Sequence, residues 1–227
     1  SRWTPGVAKS VVTYDGHTGW ANGVAWSPDG HRIASYGFDN AVRLWDIHTG
    51  EQVGALEGHT GTVHGVCWSP DGGEFAVVAS DQPHETSWYR CRLLAFPSGG
   101  GPLRTLHRAR RMVGKPAWSP DGIHVAFLSS MWSDRGNTVG DIFIVPSSGG
   151  KARDLSVDHE VSVNSLAWSA DSGRLLTTAH EGGGMGVAEI DVATGERRSL
   201  WHGDCVLAEV TETFSMDAAG TMAMVRE

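Results

Sequence analysis

The sequence of 227 residues predicts an all-β fold, a β-propeller of about five four-stranded antiparallel blades. The first observation is a repeated turn, Ser-Pro-Asp-Gly in its clearest copies, that follows an aromatic anchor; the anchors are Trp26, Trp68, Trp118, Trp168 and Phe214. The second is the spacing of these anchors, 42 to 50 residues, which matches the period of a propeller blade. The third is the count of 30 Gly residues, as many tight turns require.

Each repeat predicts four strands in the same order. A short apolar first strand ends at the aromatic anchor, and the Pro-Asp-Gly turn leads into the second strand. Second strands are predicted at residues 32–36, 74–79, 124–129, 174–179 and 221–225. Third strands are predicted at 41–46, 89–96, 141–146 and 186–192, and fourth strands at 52–56, 103–106, 152–155 and 197–200. A single blade cannot bury both of its faces, so the blades are expected to stack in a ring.

The two ends of the chain predict how the ring closes. The C-terminal part has only two strands, around 206–214 and 221–225, whereas residues 8–14 form a predicted strand without a blade of its own. We therefore expect one domain, 1–227, with blades at approximately 16–57, 58–106, 107–156, 157–201 and 202–227 plus 1–15. Pairing of the terminal strands would remove exposed sheet edges. The alternative is a fragment of a longer propeller.

The composition excludes several classes of function. A net charge of −8 disfavours nucleic-acid binding, which needs a positive surface. No apolar run approaches the roughly 18 residues of a membrane span. The cysteines Cys67, Cys91 and Cys205 have no metal-ligand spacing, so no metal and no cofactor is expected. We expect a monomer, cytoplasmic if natural, and the first residue, Ser1, fits a processed, excised or engineered chain.

The first repeat closely resembles the WD-repeat family. It contains Gly16-His17, then Val24-Ala25-Trp26-Ser27-Pro28-Asp29-Gly30 and Val42-Arg43-Leu44-Trp45-Asp46, and the second repeat opens with Gly58-His59. The resemblance implies a buried hydrogen-bonded relay of His17, Ser35, Asp39 and Trp45. Later repeats should lack it, since Phe96, Val145 and Asp191 occupy the corresponding third-strand region and no Trp is present there.

From residue 75 onward the chain resembles a different kind of blade, found in TolB-like proteins and in the propellers of prolyl-oligopeptidase-type serine peptidases. The motifs that show this resemblance include Val125-Ala126-Phe127-Leu128-Ser129-Ser130 and Asp141-Ile142-Phe143-Ile144-Val145-Pro146. Two kinds of blade in one chain suggest a recombined hybrid, natural or engineered. The resemblance also implies an alternative function, the excised substrate-gating propeller of such a peptidase.

Motifs for catalysis are missing from the sequence. There is no Gly-x-Ser-x-Gly nucleophile elbow, no P-loop and no His-Glu-x-x-His. Gly182-Gly183-Gly184 precedes no helix and therefore predicts a turn rather than a phosphate site. We expect a non-enzymatic scaffold whose role is at most the binding of a protein or peptide.

One surface is a candidate for that binding. An arginine cluster, formed by Arg104, Arg108, Arg110 and Arg111 beside His107, is predicted between the second and third blades. Trp88 and Trp132 lie in long loops that are expected at the same rim. Arginines with exposed aromatic residues favour an acidic peptide or a carboxylate ligand. The alternative is a solvated loop, with the two Trp side chains packed onto their own blades.

Overall fold

The computed structural model describes residues 14–56, 61–80, 91–130, 139–157, 159–204, 214–216 and 222–224. Within these residues the chain forms four antiparallel sheets of four strands each and one sheet of two strands. The strands of each four-stranded sheet are adjacent in chain order, as the repeat predicts. Sheet 1 contains β1–β4, sheet 2 β5–β8, sheet 3 β9–β12 and sheet 4 β13–β16.

The strand bounds follow the repeat closely. Sheet 1 is formed by β1 Ala21–Trp26, β2 Arg32–Gly37, β3 Val42–Asp46 and β4 Gln52–Leu56; sheet 2 by β5 Val63–Trp68, β6 Glu74–Ser80, β7 Cys91–Pro97 and β8 Arg104–Arg108. Sheet 3 is formed by β9 Met112–Trp118, β10 His124–Ser130, β11 Asp141–Pro146 and β12 Arg153–Asp154; sheet 4 by β13 Ser162–Trp168, β14 Arg174–Glu181, β15 Gly184–Asp191 and β16 Arg197–Gly203.

The prediction of about five four-stranded blades is only partly confirmed. The described residues contain four such sheets, and the fifth repeat contributes only the pair β17 Phe214–Met216 and β18 Met222–Met224. Residues 8–13 of the predicted N-terminal strand lie outside the described residues, and Tyr14 is not in a strand. Closure of the ring by the termini therefore stays a prediction.

The Ser-x-Asp pair explains why the turn recurs. In sheet 1 the Ser27 hydroxyl donates to Asp29 at 2.5 Å and accepts the backbone N–H of Arg32 at 2.9 Å. Sheets 2, 3 and 4 repeat the hydroxyl-to-carboxylate bond at Ser69–Asp71, Ser119–Asp121 and Ser169–Asp171. The following glycine takes the left-handed conformation, with φ of 70° at Gly30. The hydrogen bonds of the turn therefore explain why the Ser and the Asp recur in the sequence.

Neighbouring sheets pack face to face through alternating side chains. Phe75 and Val77 of β6 belong to a core cluster shared with sheet 1, whereas Ala76 and Val78 belong to a cluster shared with sheet 3. Successive side chains of a strand point to opposite faces, and both faces of sheet 2 are covered. This is why β6 is apolar from Phe75 to Ala79 instead of alternating between apolar and polar residues.

Two of the aromatic anchors, Trp68 and Trp168, connect one sheet to the sheet before it, whereas the Trp118 indole N–H donates to the carbonyl of Gly122 in its own turn. The Trp68 indole N–H donates to the carbonyl of Ala25 at 3.1 Å, and the Trp168 indole donates to that of Ala117 at 3.0 Å. The anchor of sheet 1, Trp26, is instead 59% exposed. The physical reason is that no sheet of the described residues precedes sheet 1.

Candidate functional site

The first strands of the sheets lie side by side and form the inner strands of the propeller: β1 contacts β5, β5 contacts β9, and β9 contacts β13. All four begin at the same end, here termed the entry end, which also carries the connections from second to third strands. The Ser-Pro-Asp-Gly turns lie at the opposite end, here termed the turn end. The predicted rim corresponds to the entry end.

Every inner strand has a β-bulge close to the entry end. The pairing register shifts at Asn22 in β1, at His64 in β5, at Lys115-Pro116 in β9 and at Asn164 in β13. A bulge leaves one extra residue outside the ladder and re-aims its side chain. The polar residues Asn22, His64, Lys115 and Asn164, here termed the bulge residues, therefore lie at the bulges of the four inner strands, with Lys115 one residue closer to its Trp anchor than the other three.

Lys115 is the most constrained of the bulge residues. Its φ of 50° lies in the left-handed region, which is uncommon for a residue other than glycine. Its ammonium group donates to the backbone carbonyl of Asn164 at 2.5 Å and so connects β9 to β13. On the other side β9 approaches β5 closely, because a Cβ on Gly65 would lie 2.6 Å from Cδ of Pro116. Such local strain is commonly found at functional sites.

The inner strands carry a single permanent charge. No Asp or Glu occurs in β1, β5, β9 or β13, and Lys115 is their only Lys or Arg. Burial lowers the pKa of His64 to about 4, so this imidazole is neutral at pH 7.

Sequence reasoning missed the bulge residues, although the sequence contains their signal. Asn22, His64 and Asn164 each stand four residues before the Trp anchor of their strand, and Lys115 stands three before. A polar residue at that place interrupts an otherwise apolar inner strand. Only the pairing register shows that these residues share a bulge.

Three members of the predicted arginine cluster lie at the entry end. Arg108, Arg110 and Arg111 are exposed there. Arg108 lies in β8, and this strand extends two residues further than predicted because Arg108 pairs with Arg92 of β7. Arg111 has one acidic neighbour, Asp141, at 3.6 Å. Arg92 lies opposite Arg108 across the β7–β8 ladder.

Two further members of the predicted cluster have structural roles. Arg104 binds the carboxylate of Glu74 through two hydrogen bonds, of 2.7 and 2.9 Å, and donates to the carbonyl of Ser147 at 2.8 Å. His107 packs against the ring of Phe127, and burial lowers the pKa of His107. Neither residue supplies a free positive charge. Trp88 and Trp132 lie outside the described residues.

The four relay residues lie in one hydrogen-bonded network. His17 joins Asp39 at 2.9 Å through Nδ1 and the Ser35 hydroxyl at 2.7 Å through Nε2. The Trp45 indole N–H donates to the same Ser35 hydroxyl at 2.7 Å. The network ties the segment before β1 to β2 and β3. It is closed by protein groups, so it functions as a structural connection rather than as a site for a ligand.

Asp39 is the charged member of the network. Burial alone would raise its pKa, but hydrogen bonds from His17, the Thr18 backbone N–H and Arg43 outweigh burial and hold the pKa below its usual value. Its side chain is only 3% exposed. The carboxylate is therefore ionised and satisfied on both oxygens at neutral pH.

The later sheets have no Trp at the position of Trp45. Trp45 pairs with Ile33, and the same register places Phe96, Val145 and Ile190 opposite Phe75, Val125 and Leu175. Asp191 lies in this third-strand region as the last residue of β15, where it pairs with Arg174 rather than with Leu175. Asp191 corresponds instead to Asp46, and each of the two carboxylates accepts backbone N–H bonds in the turn between third and fourth strands.

The comparisons with known proteins agree with this architecture. A family model described as the TolB beta propeller domain matches residues 23–224. Protein HIR1 of Cryptococcus neoformans is 30% identical over 204 residues, which are 86% of this chain and 21% of that protein. The uncharacterized peptidase YuxL of Bacillus subtilis is 31% identical over 113 residues, 49% of this chain and 16% of that protein.

A solved structure shows the same fold. An oligogalacturonate lyase in complex with manganese superposes with a TM-score of 0.67 at 16% identity, covering 87% of this chain and 56% of that one. The chain thus spans only part of the length of these proteins. The hypothesis of a hybrid is not supported, because one family model and one relative each extend across both kinds of blade.

Two classes of feature are missing from the part of the chain that the structure describes. It contains no group of three or more His, Cys, Asp or Glu side chains placed to hold a metal ion. No helix of these residues is long and apolar enough to cross a membrane.

Proposed function

Because the chain belongs to the TolB β-propeller domain family, with WD-like character in its first blade, we propose that it is a non-catalytic interaction module. Its entry end binds an acidic segment of a protein or peptide. WD-repeat proteins, to which the chain is similar, generally act in protein–protein interactions. The observation that carries the proposal is the concentration of positive charge at the entry end of a chain with a net charge of −8.

The positive charge lies where β8 leads into β9. Arg108 and Arg110 are exposed there, and Arg111 follows them directly in the chain. Guanidinium groups bind carboxylates through paired, charge-assisted hydrogen bonds. Lys115 supplies a further cation on the inner strands at the same end.

A binding assay with a defined probe tests the proposal. The probe is a fluorescein-labelled peptide of ten glutamates, measured by fluorescence anisotropy, with a glutamine peptide of equal length as the neutral control. The double variant Arg108→Ala/Arg110→Ala should bind at least tenfold more weakly, about 1.4 kcal/mol. Raising the salt concentration should weaken wild-type binding because the contacts are exposed.

The matched control removes the same charge elsewhere. Arg174 and Arg198 lie at the turn end and contact Glu189. The double variant Arg174→Ala/Arg198→Ala should retain wild-type affinity for the glutamate peptide. Equal losses in the two double variants would indicate non-specific attraction and overturn the proposal, as would equal binding of the glutamine peptide.

A second candidate function is the substrate-gating propeller of a serine peptidase. It is favoured by the similarity of nearly half of the chain to YuxL. The test is the sequence of the full coding region, in which a nucleophile elbow within an alternating strand–helix region would support this role. A coding region without it would exclude a gating role within one polypeptide.

A further inference from the structure

Two imidazole rings meet at the turn end of sheet 1, far from the arginine cluster. Nδ1 of His31 lies 3.3 Å from Nε2 of His48. The ring centroids are 5.4 Å apart and the ring planes are inclined by 49°. Both side chains are exposed, so an ion from solution can reach the two nitrogens.

The backbone holds the two histidines in this relation. The N–H of His31 donates to Asp29 at 3.0 Å, and the N–H of His48 donates to Asp46 at 2.8 Å. The N–H of Ile47 donates to the carbonyl of His31 at 3.1 Å and ties the two turns together. The pair is therefore preorganised by three hydrogen bonds that do not involve the imidazoles.

The fold does not require these imidazoles. The same backbone bond between turns recurs from Ser98 to Gly73, from Ser147 to Ile123 and from Val192 to Gly173. The positions equivalent to His31 are thus Gly73, Ile123 and Gly173, and those equivalent to His48 are Gly99, Ser148 and Ala193. Three sheets make the two turns without any histidine, so the pair in sheet 1 is an addition to the repeat.

We propose that His31 and His48 together bind one divalent transition-metal ion of the class of Zn²⁺, Ni²⁺ and Cu²⁺. Two nitrogens bound to one ion at about 2.0–2.1 Å with near-tetrahedral or right angles lie roughly 2.9–3.4 Å apart, and the observed separation is 3.3 Å. Neutral imidazole nitrogen is a preferred ligand for this class of metal.

The remaining coordination positions belong to water. Within the residues that the structure describes, no third His, Cys, Asp or Glu completes a ligand group. Binding uses the lone pairs of Nδ1 of His31 and Nε2 of His48, with each ring proton on the other nitrogen. The charged groups of the same turns are Asp29, Asp46 and Arg32, the last of which lies 4.0 Å from Asp29.

Isothermal titration calorimetry of the untagged chain with NiCl₂ or ZnCl₂ at pH 7.5 tests the site. The chain has 11 His residues, so the site is defined by the difference between variants. His31→Ile and His48→Ser introduce the residues that sheet 3 has at these positions. Each should lose at least tenfold in affinity for the metal, and the melting temperature without metal should stay at the wild-type value.

The control is His124→Arg, which removes a histidine from the turn end and introduces the residue found at the equivalent positions 32 and 174. It should bind the metal as the wild type does. MgCl₂ should give no binding, and lowering the pH to 5.5 should weaken Ni²⁺ binding because protons compete for the imidazoles. Unchanged affinity in either single variant, or an equal loss in His124→Arg, would overturn the proposal.

Discussion

The substitution Asp39→Ala tests how much the relay of the first blade contributes to stability. It removes the acceptor of three donors: Nδ1 of His17, the backbone N–H of Thr18 and a guanidinium N–H of Arg43. The His17 and Arg43 side chains are 9% and 14% exposed, so water can replace the carboxylate only in part. A buried polar group without a partner costs about 1–3 kcal/mol.

The expected loss can be read from thermal unfolding. For a domain of this size 1 kcal/mol corresponds to about 2–4 °C in melting temperature, so Asp39→Ala should melt about 2–12 °C below the wild type. Asp39→Asn keeps one acceptor and the side-chain volume. Its melting temperature should therefore lie between those of Asp39→Ala and the wild type. Circular dichroism or differential scanning calorimetry gives the comparison.

Coupling within the network separates a connected relay from a set of independent contacts. Ser35→Ala removes the partner of both His17 and Trp45. In a double-mutant cycle with Asp39→Ala the two losses should differ from additivity by more than about 0.5 kcal/mol. Additive losses, or an Asp39→Ala variant that melts with the wild type, would refute the reasoning.

The titration of Asp39 also makes the free energy of unfolding depend on pH. The pKa of Asp39 is lower in the folded state than its ordinary value, so its contribution is present above the unfolded pKa, near 4. That contribution is lost as the pH falls through the lower folded pKa. Asp39→Asn should therefore reduce the pH dependence of the unfolding free energy below about pH 4.

Four further predictions test other parts of the molecule. Burial lowers the pKa of His64 to about 4, so the free energy of unfolding should fall by roughly 3 kcal/mol between about pH 6.5 and 4. His64→Asn, which introduces the residue found at positions 22 and 164, should remove that pH dependence in urea titrations. An unchanged pH dependence would contradict the burial of this imidazole. Burial raises the pKa of the Cys67 thiol to about 12, so it should resist thiol reagents at pH 8 until the chain unfolds, and rapid labelling of native protein would be inconsistent with this. Deleting residues 1–14 should lower the melting temperature and the solubility if the termini share a blade, whereas an unchanged monomer would favour an open ring. Purified protein should not hydrolyse peptide or ester substrates, and activity that survives repurification would exclude the non-catalytic proposal.

The repeat was predictable from the sequence because its cause is local. Ser27, Asp29 and Gly30 close their turn within six residues, so the same few letters mark the turn in every blade. The second strands begin at the predicted residues 32, 74, 124 and 174 for the same reason. The relay residues were also predictable from the sequence, because they occur in the first repeat, which resembles the WD-repeat family.

The bulges were not predicted from the sequence, although the polar residues that stand at them are visible in it. A bulge is a property of two strands, since Lys115 is an extra residue only relative to β10. In the same way, counting along one strand does not show that Ile190, rather than Asp191, faces Leu175. The exposure of Trp26 depends on whether a further sheet covers it.

The sequence by itself determined the all-β class, the period of the blade and the chemistry of the turns, because hydrogen bonds over a few residues and one repeated pattern specify them. The relay residues, whose bonds join positions 10 to 22 residues apart, followed only from the resemblance to the WD-repeat family. Only the tertiary structure decided that four bulges align on the inner strands, that Arg104 is bound by Glu74 while Arg108 and Arg110 are exposed, and that His31 lies beside His48. These facts arise where different strands or turns meet, and such distances are set by packing between parts of the chain that the local sequence does not encode.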